Sequence, residues 1–295
     1  MSTRQLGPII GATLLHHDIE HVIHCYQNSL GYTLVDEDTV SQSLVQLWNA
    51  PKLLGNKIAV LASANGQGWL RVVEDPNALP AQPLKTHGWM ALETNITNVD
   101  AISHRINTHE FTVIGKPAYL QVSDAIKAMQ VVGPAGEVNY LTQVDKNVPP
   151  FELPMTTHET AGLFIPVLCT QDRDKSLAFY EQLNNADTGL SFKTKITVLN
   201  NAWQQDIEHQ YDVATLQLDG KCLFEIDQVP DAAPIINNDQ SLPSGIALIT
   251  CKVKNIHVLA QQLGVNVHTV ENRYYNHSSV LVLKGPDGEL IELVG

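Results

Sequence analysis

Gly285-Pro286-Asp287-Gly288-Glu289-Leu290-Ile291-Glu292-Leu293-Val294 closes the chain, and its reading decides the fold. Pro286 presets φ for the first turn position, and Gly288 supplies a backbone that reaches positive φ. Ser279 to Leu283 on one side and Leu290 to Leu293 on the other read as strands, so the segment is a β-hairpin. Glu292 interrupts an apolar run, which puts it at a wet sheet edge or in a cavity that the sheet lines. The same hairpin occurs earlier. Val131-Val132-Gly133-Pro134-Ala135-Gly136-Glu137 repeats the Gly-Pro-X-Gly-Glu turn, and Val138-Asn139-Tyr140-Leu141 repeats the strand after it. A repeat over half a chain governs every other reading.

Outward from these hairpins, one order recurs: strand, helix, then three strands. In the first unit Ile9 to Leu15 is a strand, and Asp18 caps a helix carrying Ile19, Val22, Ile23, Tyr26 and Leu30 on one face. Tyr32 to Val35, Lys57 to Leu61 and Trp69 to Val73 follow. In the second unit Trp89 to Glu93 is a strand, Asn98 caps a helix, and Phe111 to Ile114, Ala128 to Val132 and Val138 to Leu141 complete it. In the third, Leu163 to Leu168 leads to a helix capped by Asp172, then Phe192 to Ile196, Val213 to Leu218 and Leu223 to Ile226. The fourth begins at Gly245, has a helix capped by Asn255, and ends in the closing hairpin. Pro76 to Pro83 and Gln228 to Pro243 are connectors. Asn147 to His158, with Pro149, Pro150 and Pro154, is the expected interdomain linker.

The 295 residues carry a formal net charge of −13, which argues against nucleic acid and anionic membrane surfaces. No apolar run reaches transmembrane length, and Met1-Ser2-Thr3-Arg4-Gln5 lacks a signal peptide's apolar core. The four cysteines, Cys25, Cys169, Cys222 and Cys251, show no CxxC spacing and suit small buried hydrophobes in a reducing cytoplasm.

The four units resemble the modules of the vicinal oxygen chelate superfamily: glyoxalase I, bleomycin- and fosfomycin-resistance proteins, and extradiol dioxygenases. Cys25-Tyr26-Gln27-Asn28-Ser29-Leu30-Gly31-Tyr32, Leu177-Ala178-Phe179-Tyr180 and the two Gly-Pro-X-Gly-Glu hairpins carry the resemblance, which spans nearly the whole chain. It implies an α+β fold of four βαβββ modules, paired into two cup-shaped, eight-stranded mixed sheets. The expected domains are 1–147 (modules 7–75 and 86–145) and 158–295 (modules 161–228 and 244–295).

The resemblance also implies metal positions on the first and last strands of each module. Seven residues before each helix cap stand Gly11, Ala91, Ile165 and Leu248, none of which ligates. On the last strands stand Arg71, Tyr140, Glu225 and Glu292. Tightly bound zinc or iron is therefore not expected, since such sites take about three or four protein ligands. Glu225 and Glu292 are candidates for an acid–base pair, or for weak ligands of magnesium, manganese or calcium in the second domain. A histidine outside the motif, His209 or His277, is the rival that would complete a metal site.

Arg71, Tyr140 and Glu93 are candidate substrate-binding residues of the first cup. The planar fork of Arg71 suits a carboxylate or phosphate. Alternation along the strand turns Glu93 toward the same cup as Ala91. The bland readings stand beside these: Arg71 at an edge strand in solvent or paired with Glu74 or Glu93, and Glu225 and Glu292 as strand-end acids facing water. His17-Asp18-Ile19-Glu20-His21 matches an H-x-x-E-H zinc motif, but it falls on the polar face of an amphipathic helix, with His17 outside the cap.

The expected function is a glyoxalase-like lyase or isomerase acting on a small oxygenated molecule with a degenerate metal site. The alternative is a non-catalytic protein that sequesters a small molecule, as bleomycin-resistance proteins do; an extradiol-dioxygenase-like oxidoreductase is third. A small-molecule ligand is the expected partner, with no nucleic acid or membrane, and a homodimer stays open.

Overall fold

The computed structural model describes residues 4–120, 123–185, 189–270, 272–276 and 278–295. Module one runs β1 (Leu6–His16), α1 (Ile19–Leu30), β2 (Thr33–Thr39), β3 (Lys57–Ala62) and β4 (Gly68–Glu74), with an inserted helix α2 (Gln42–Trp48) between β2 and β3. Module two is β5 (Gly88–Ile96), α3 (Val99–Arg105), β6 (Thr112–Leu120), β7 (Ser123–Val132) and β8 (Val138–Val144). Module three is β9 (Thr160–Thr170), α4 (Arg173–Asn184), β10 (Leu190–Thr194), β11 (Tyr211–Gln217) and β12 (Leu223–Gln228), with a helix α5 (Thr197–Trp203) inserted between β10 and β11. Module four is β13 (Gly245–Val253), α6 (Ile256–Leu263), β14 (His268–Thr269), β15 (Ser279–Lys284) and β16 (Leu290–Val294).

Local chemistry sets the helix boundaries. Asp18, Asn98 and Asp172 accept from the backbone N–H three residues on, at 3.0, 2.9 and 3.0 Å. Asn255 differs: it makes no side-chain cap and donates instead to Gln5. Gly31 ends α1 in the left-handed region at φ 68. The face of α1 expected to be apolar is buried, each large side chain contributing about 1.5–3 kcal/mol.

Two eight-stranded sheets form, as expected, but the pairing of modules is not the expected one. One sheet has the order β14-β15-β16-β13-β1-β4-β3-β2 and joins modules one and four. The other, β10-β11-β12-β9-β5-β8-β7-β6, joins modules two and three. We call them the outer and inner cups. The chain thus runs outer, inner, inner, outer, and the sheets do not follow the division into 1–147 and 158–295. The Pro-rich stretch expected to separate domains instead joins β8 to β9 within one sheet. The two connectors that cross between cups touch each other: His87 donates its N–H to Ala233 at 2.8 Å, and Ala233 donates to Lys85 at 2.9 Å. Pairing was ambiguous because the first strands, all near-continuous apolar runs, present equivalent edges; β1 pairs with β13, and β5 with β9.

What links the modules of each half is the repeated hairpin. In Gly133-Pro134-Ala135-Gly136-Glu137 the glutamate folds back over its own turn and accepts from Ala135 N–H at 2.9 Å. Tyr26 of α1 donates to it at 2.6 Å. The closing hairpin repeats this with Asp287 N–H at 3.0 Å and Tyr180 of α4 at 2.9 Å. The first glycine of the motif is required by this fold-back. A Cβ at Gly133 or Gly285 would stand 1.9 Å from the glutamate's carboxylate oxygen.

Candidate functional site

The outer cup brings together two residues expected in different cups. Arg71 on β4 lies in register with Thr13 on β1, and Glu292 on β16 with Thr250 on β13. The Arg71 guanidinium donates to Thr13 Oγ1 at 2.8 Å, Tyr275 Oη at 2.5 Å and Glu292 Oε2 at 3.1 Å. Glu292 also accepts from Trp48 Nε1 at 3.0 Å, Tyr275 Oη at 2.7 Å and Thr250 Oγ1 at 2.9 Å. The guanidinium carbon sits 4.9 Å from the ring centre of Trp48 and 4.5 Å from that of Tyr274. Arg71 is 1% exposed and Glu292 0%. Burial opposes the guanidinium's charge, but Glu292, Tyr275 and Tyr274 outweigh it, and Arg71 is held above its ordinary pKa.

This cup is filled by its own side chains. Leu44, Val45, Leu47 and Trp48 of α2 pack with Leu15, Leu248, Val280 and Tyr275 as a second apolar core. Gly11, at an implied ligand position, is glycine for a steric reason: a Cβ there would lie 2.0 Å from the Tyr274 hydroxyl oxygen and 2.6 Å from the Trp69 carbonyl oxygen. Arg71 therefore faces Glu292 rather than an open cavity. Neither Glu74 nor Glu93 is its partner.

The inner cup gathers acids. Glu93 on β5 lies in register with Tyr140 on β8. Glu225 on β12 pairs with Thr215 on β11, and Asp227, two residues on, shares its face. Thr142 Oγ1 donates to Glu93 at 2.7 Å. Both oxygens of Asp227, the hydroxyls of Tyr140 and Tyr211, and Thr215 Oγ1 are buried with no protein partner among the described residues. Burial, and then the charge of Glu225, push Glu93 up to about 8; burial pushes Glu225 up to about 7. Asp227 is raised well above the carboxylate range by burial, then by Glu225 and Glu93. Tyr140 is raised by burial and by the charges of Asp227, Glu225 and Glu93. Two strands, β9 and β5, lie between β12 and β8, so this mutual influence shows how strongly the sheet curls.

The implied metal can be tested against these side chains. Each cup has one carboxylate at its four implied ligand positions. In the outer cup that carboxylate already accepts four hydrogen bonds. In the inner cup Glu225 stands with Ala91, Ile165 and Tyr140. Among the described residues no group of three or more His, Cys, Asp or Glu is arranged to hold a metal ion. The residues do not fit a resident metal. His209 is exposed and meets the Tyr211 ring edge-on, with ring centres 4.8 Å apart, while His277 lies outside the described residues. The H-x-x-E-H residues are exposed; Glu20 pairs with Lys57 at 2.7 Å, and His24 lies 3.6 Å from Glu110.

Of the five candidates, then, Arg71 and Glu292 belong to the outer cup and Glu93, Tyr140 and Glu225 to the inner one. Asp227, Thr142, Thr215 and Tyr211 were missed. Asp227 was legible, since it follows Glu225 by the same two-residue step that located Glu93. Thr13 and Thr250 were legible too, standing five residues before their helix caps as Glu93 does. Trp48, Tyr274 and Tyr275 sit in connections whose paths no periodicity reveals.

The fold is one shared with solved structures of glyoxalase-like proteins. Glyoxalase I from Zea mays superposes with a TM-score of 0.60 at 13% identity, over 97% of this chain and 91% of that one. A Bacillus subtilis strain 168 protein described as a "putative dioxygenase" superposes with a TM-score of 0.63 at 12% identity, over 99% of this chain and 86% of that one. In sequence, no family profile matches the chain, and no curated protein does. The chain has the glyoxalase-like fold in its four-module form. Among the described residues no helix is long and apolar enough to cross a membrane.

Proposed function

We propose that the inner cup is the working site of a glyoxalase-like protein, and that it performs metal-independent proton transfer of the lyase or isomerase type on a small oxygenated molecule. The observation that carries this is a pair of carboxyl groups close enough for the charge of one to act on the other, Glu93 raised to about 8 and Glu225 to about 7, with no basic side chain among the described residues holding their charge. A carboxyl group tuned to neutrality can take a proton from carbon beside a carbonyl, while a second returns one to oxygen. Tyr140, whose hydroxyl has no protein partner among the described residues, supplies a donor to a developing oxyanion. The sealed outer cup supports the fold and takes no ligand.

The test is deuterium exchange at the α-carbon of small α-hydroxy ketones in D2O, followed by proton NMR. Exchange above the buffer rate is expected from the native protein, falling about 100-fold or more in Glu93→Gln and Glu225→Gln. It should be unchanged in Glu20→Gln, whose side chain is exposed. Absence of exchange across the panel, with a compound still protecting the inner cup from hydrogen exchange, would replace catalysis with sequestration.

A further inference from the structure

We infer that the ligand of the inner cup carries a protonated amine, received by Asp227 and the acids around it; this rests on the inner cup being the site. Asp227 is 0% exposed, and neither of its oxygens has a partner among the described residues. A buried carboxylate without a donor is costly, and folded proteins keep one where something else supplies the donor. The groups around it do not. Glu93 and Glu225 add acceptors. Tyr140, Tyr211 and Thr215 each bring an oxygen that also lacks a partner. Tyr140 stands in register with Glu93, and Thr215 with Glu225, so both share the face that carries the acids.

The chemistry of the missing occupant follows from that inventory. It must present several N–H or O–H donors at one end and bring positive charge. A primary ammonium group has three donors and a full charge. A neutral alcohol offers one donor and no charge to offset a proton that these acids release. An anion brings no donor and opposes ionisation of every acid in the cup. A metal ion is disfavoured because the acids are not grouped to ligate one. The outer cup shows the same logic solved internally: the fold placed a guanidinium among Glu292, Tyr275 and Thr13 there.

The experiment titrates the whole chain with n-butylammonium, using butan-1-ol, butyrate and Mg2+ as comparison probes, by calorimetry and NMR. Saturable butylammonium binding is expected, at least about tenfold tighter than butan-1-ol. It should weaken about tenfold or more in Asp227→Asn and measurably in Tyr140→Phe, each checked for native circular dichroism. Should Asp227→Asn fail to fold, Glu93→Gln and Tyr140→Phe carry the test. Equal binding of butan-1-ol or butyrate, sensitive to these substitutions, overturns the amine while keeping the inner cup as the site. Mg2+ binding that these substitutions abolish, with no butylammonium binding, does the same in favour of a metal. If no probe responds to any of the substitutions, both the amine and the site fall.

Discussion

The two cups are built from the same parts and differ in what fills them. Each receives a short inserted helix of seven residues ending in tryptophan, α2 with Trp48 and α5 with Trp203. Trp48 turns into the outer cup and donates to Glu292. Trp203 turns away, donating to the Leu84 carbonyl at 2.9 Å with Lys85 stacked 4.0 Å from its ring centre. The last-strand pair is Arg71 and Glu292 in one cup, Tyr140 and Glu225 in the other. One cup is balanced in charge and closed by its own tryptophan and tyrosines; the other holds three acids with no cation bonded to them among the described residues. A repeat that drifts in sequence can keep its scaffold twice while the charges inside the two copies diverge.

The largest effect should come from breaking the balance of the outer cup. Arg71→Ala leaves Glu292 buried with a charge and no counterion, and should lower unfolding free energy by about 3–5 kcal/mol in urea titration. Replacing both partners, Arg71→Met with Glu292→Gln, should recover much of that loss, because neither charge is then buried alone. A loss under about 1 kcal/mol for Arg71→Ala would mean that the pair is exchangeable with solvent and the cup more open than its packing shows.

How far the sequence reached follows the same division. Four modules, two eight-stranded sheets, three helix caps and the hairpin turns were legible because they depend on period and turn chemistry over a few residues. The pairing of modules was not, because it depends on which apolar edge meets which across the chain. Arg71 and Glu292 were each found, but their partnership needed that pairing. Glu93 and Glu225 were found as separate candidates, one in each half; the inner sheet makes them neighbours. The tryptophans at residues 48 and 203 carry no signal that tells which one turns inward.

An intermediate effect should appear in the pH dependence of the inner cup. Glu93 has a folded pKa of about 8 against an ordinary 4.5. Between these values the folded chain holds a proton that the unfolded chain has released, so stability falls as pH rises. Below about 4.5 both states hold it and no penalty exists; above about 8 the penalty is constant. Glu93→Gln removes it. The variant should therefore gain on the native protein progressively from pH 5 to pH 8, seen as diverging urea midpoints. Glu225→Gln should behave alike over a narrower window, since Glu225 reaches only about 7. Parallel profiles would show that water reaches these carboxylates freely, which would also weaken the case for neutral-pH proton transfer.

The smallest effect concerns the ties between helix and hairpin, where the two halves nearly match. Tyr26→Phe and Tyr180→Phe each delete one hydroxyl donor to a buried glutamate, a loss of about 1.5–3 kcal/mol where the acceptor is charged. The two sites differ in what remains. Glu137 keeps the Asn139 amide at 3.3 Å as well as the Ala135 N–H. Glu289 keeps the Asp287 N–H and has no side-chain amide in the place of Asn139 among the described residues. Burial has already pushed both carboxyls up to about 7, so loss of a donor favours protonation, which softens the cost below that value. Tyr180→Phe should thus cost more than Tyr26→Phe, by about 0.5 kcal/mol at pH 8 and less at pH 6. Equal losses at both pH values would mean that the hydroxyls act through packing against their neighbours rather than through the glutamates.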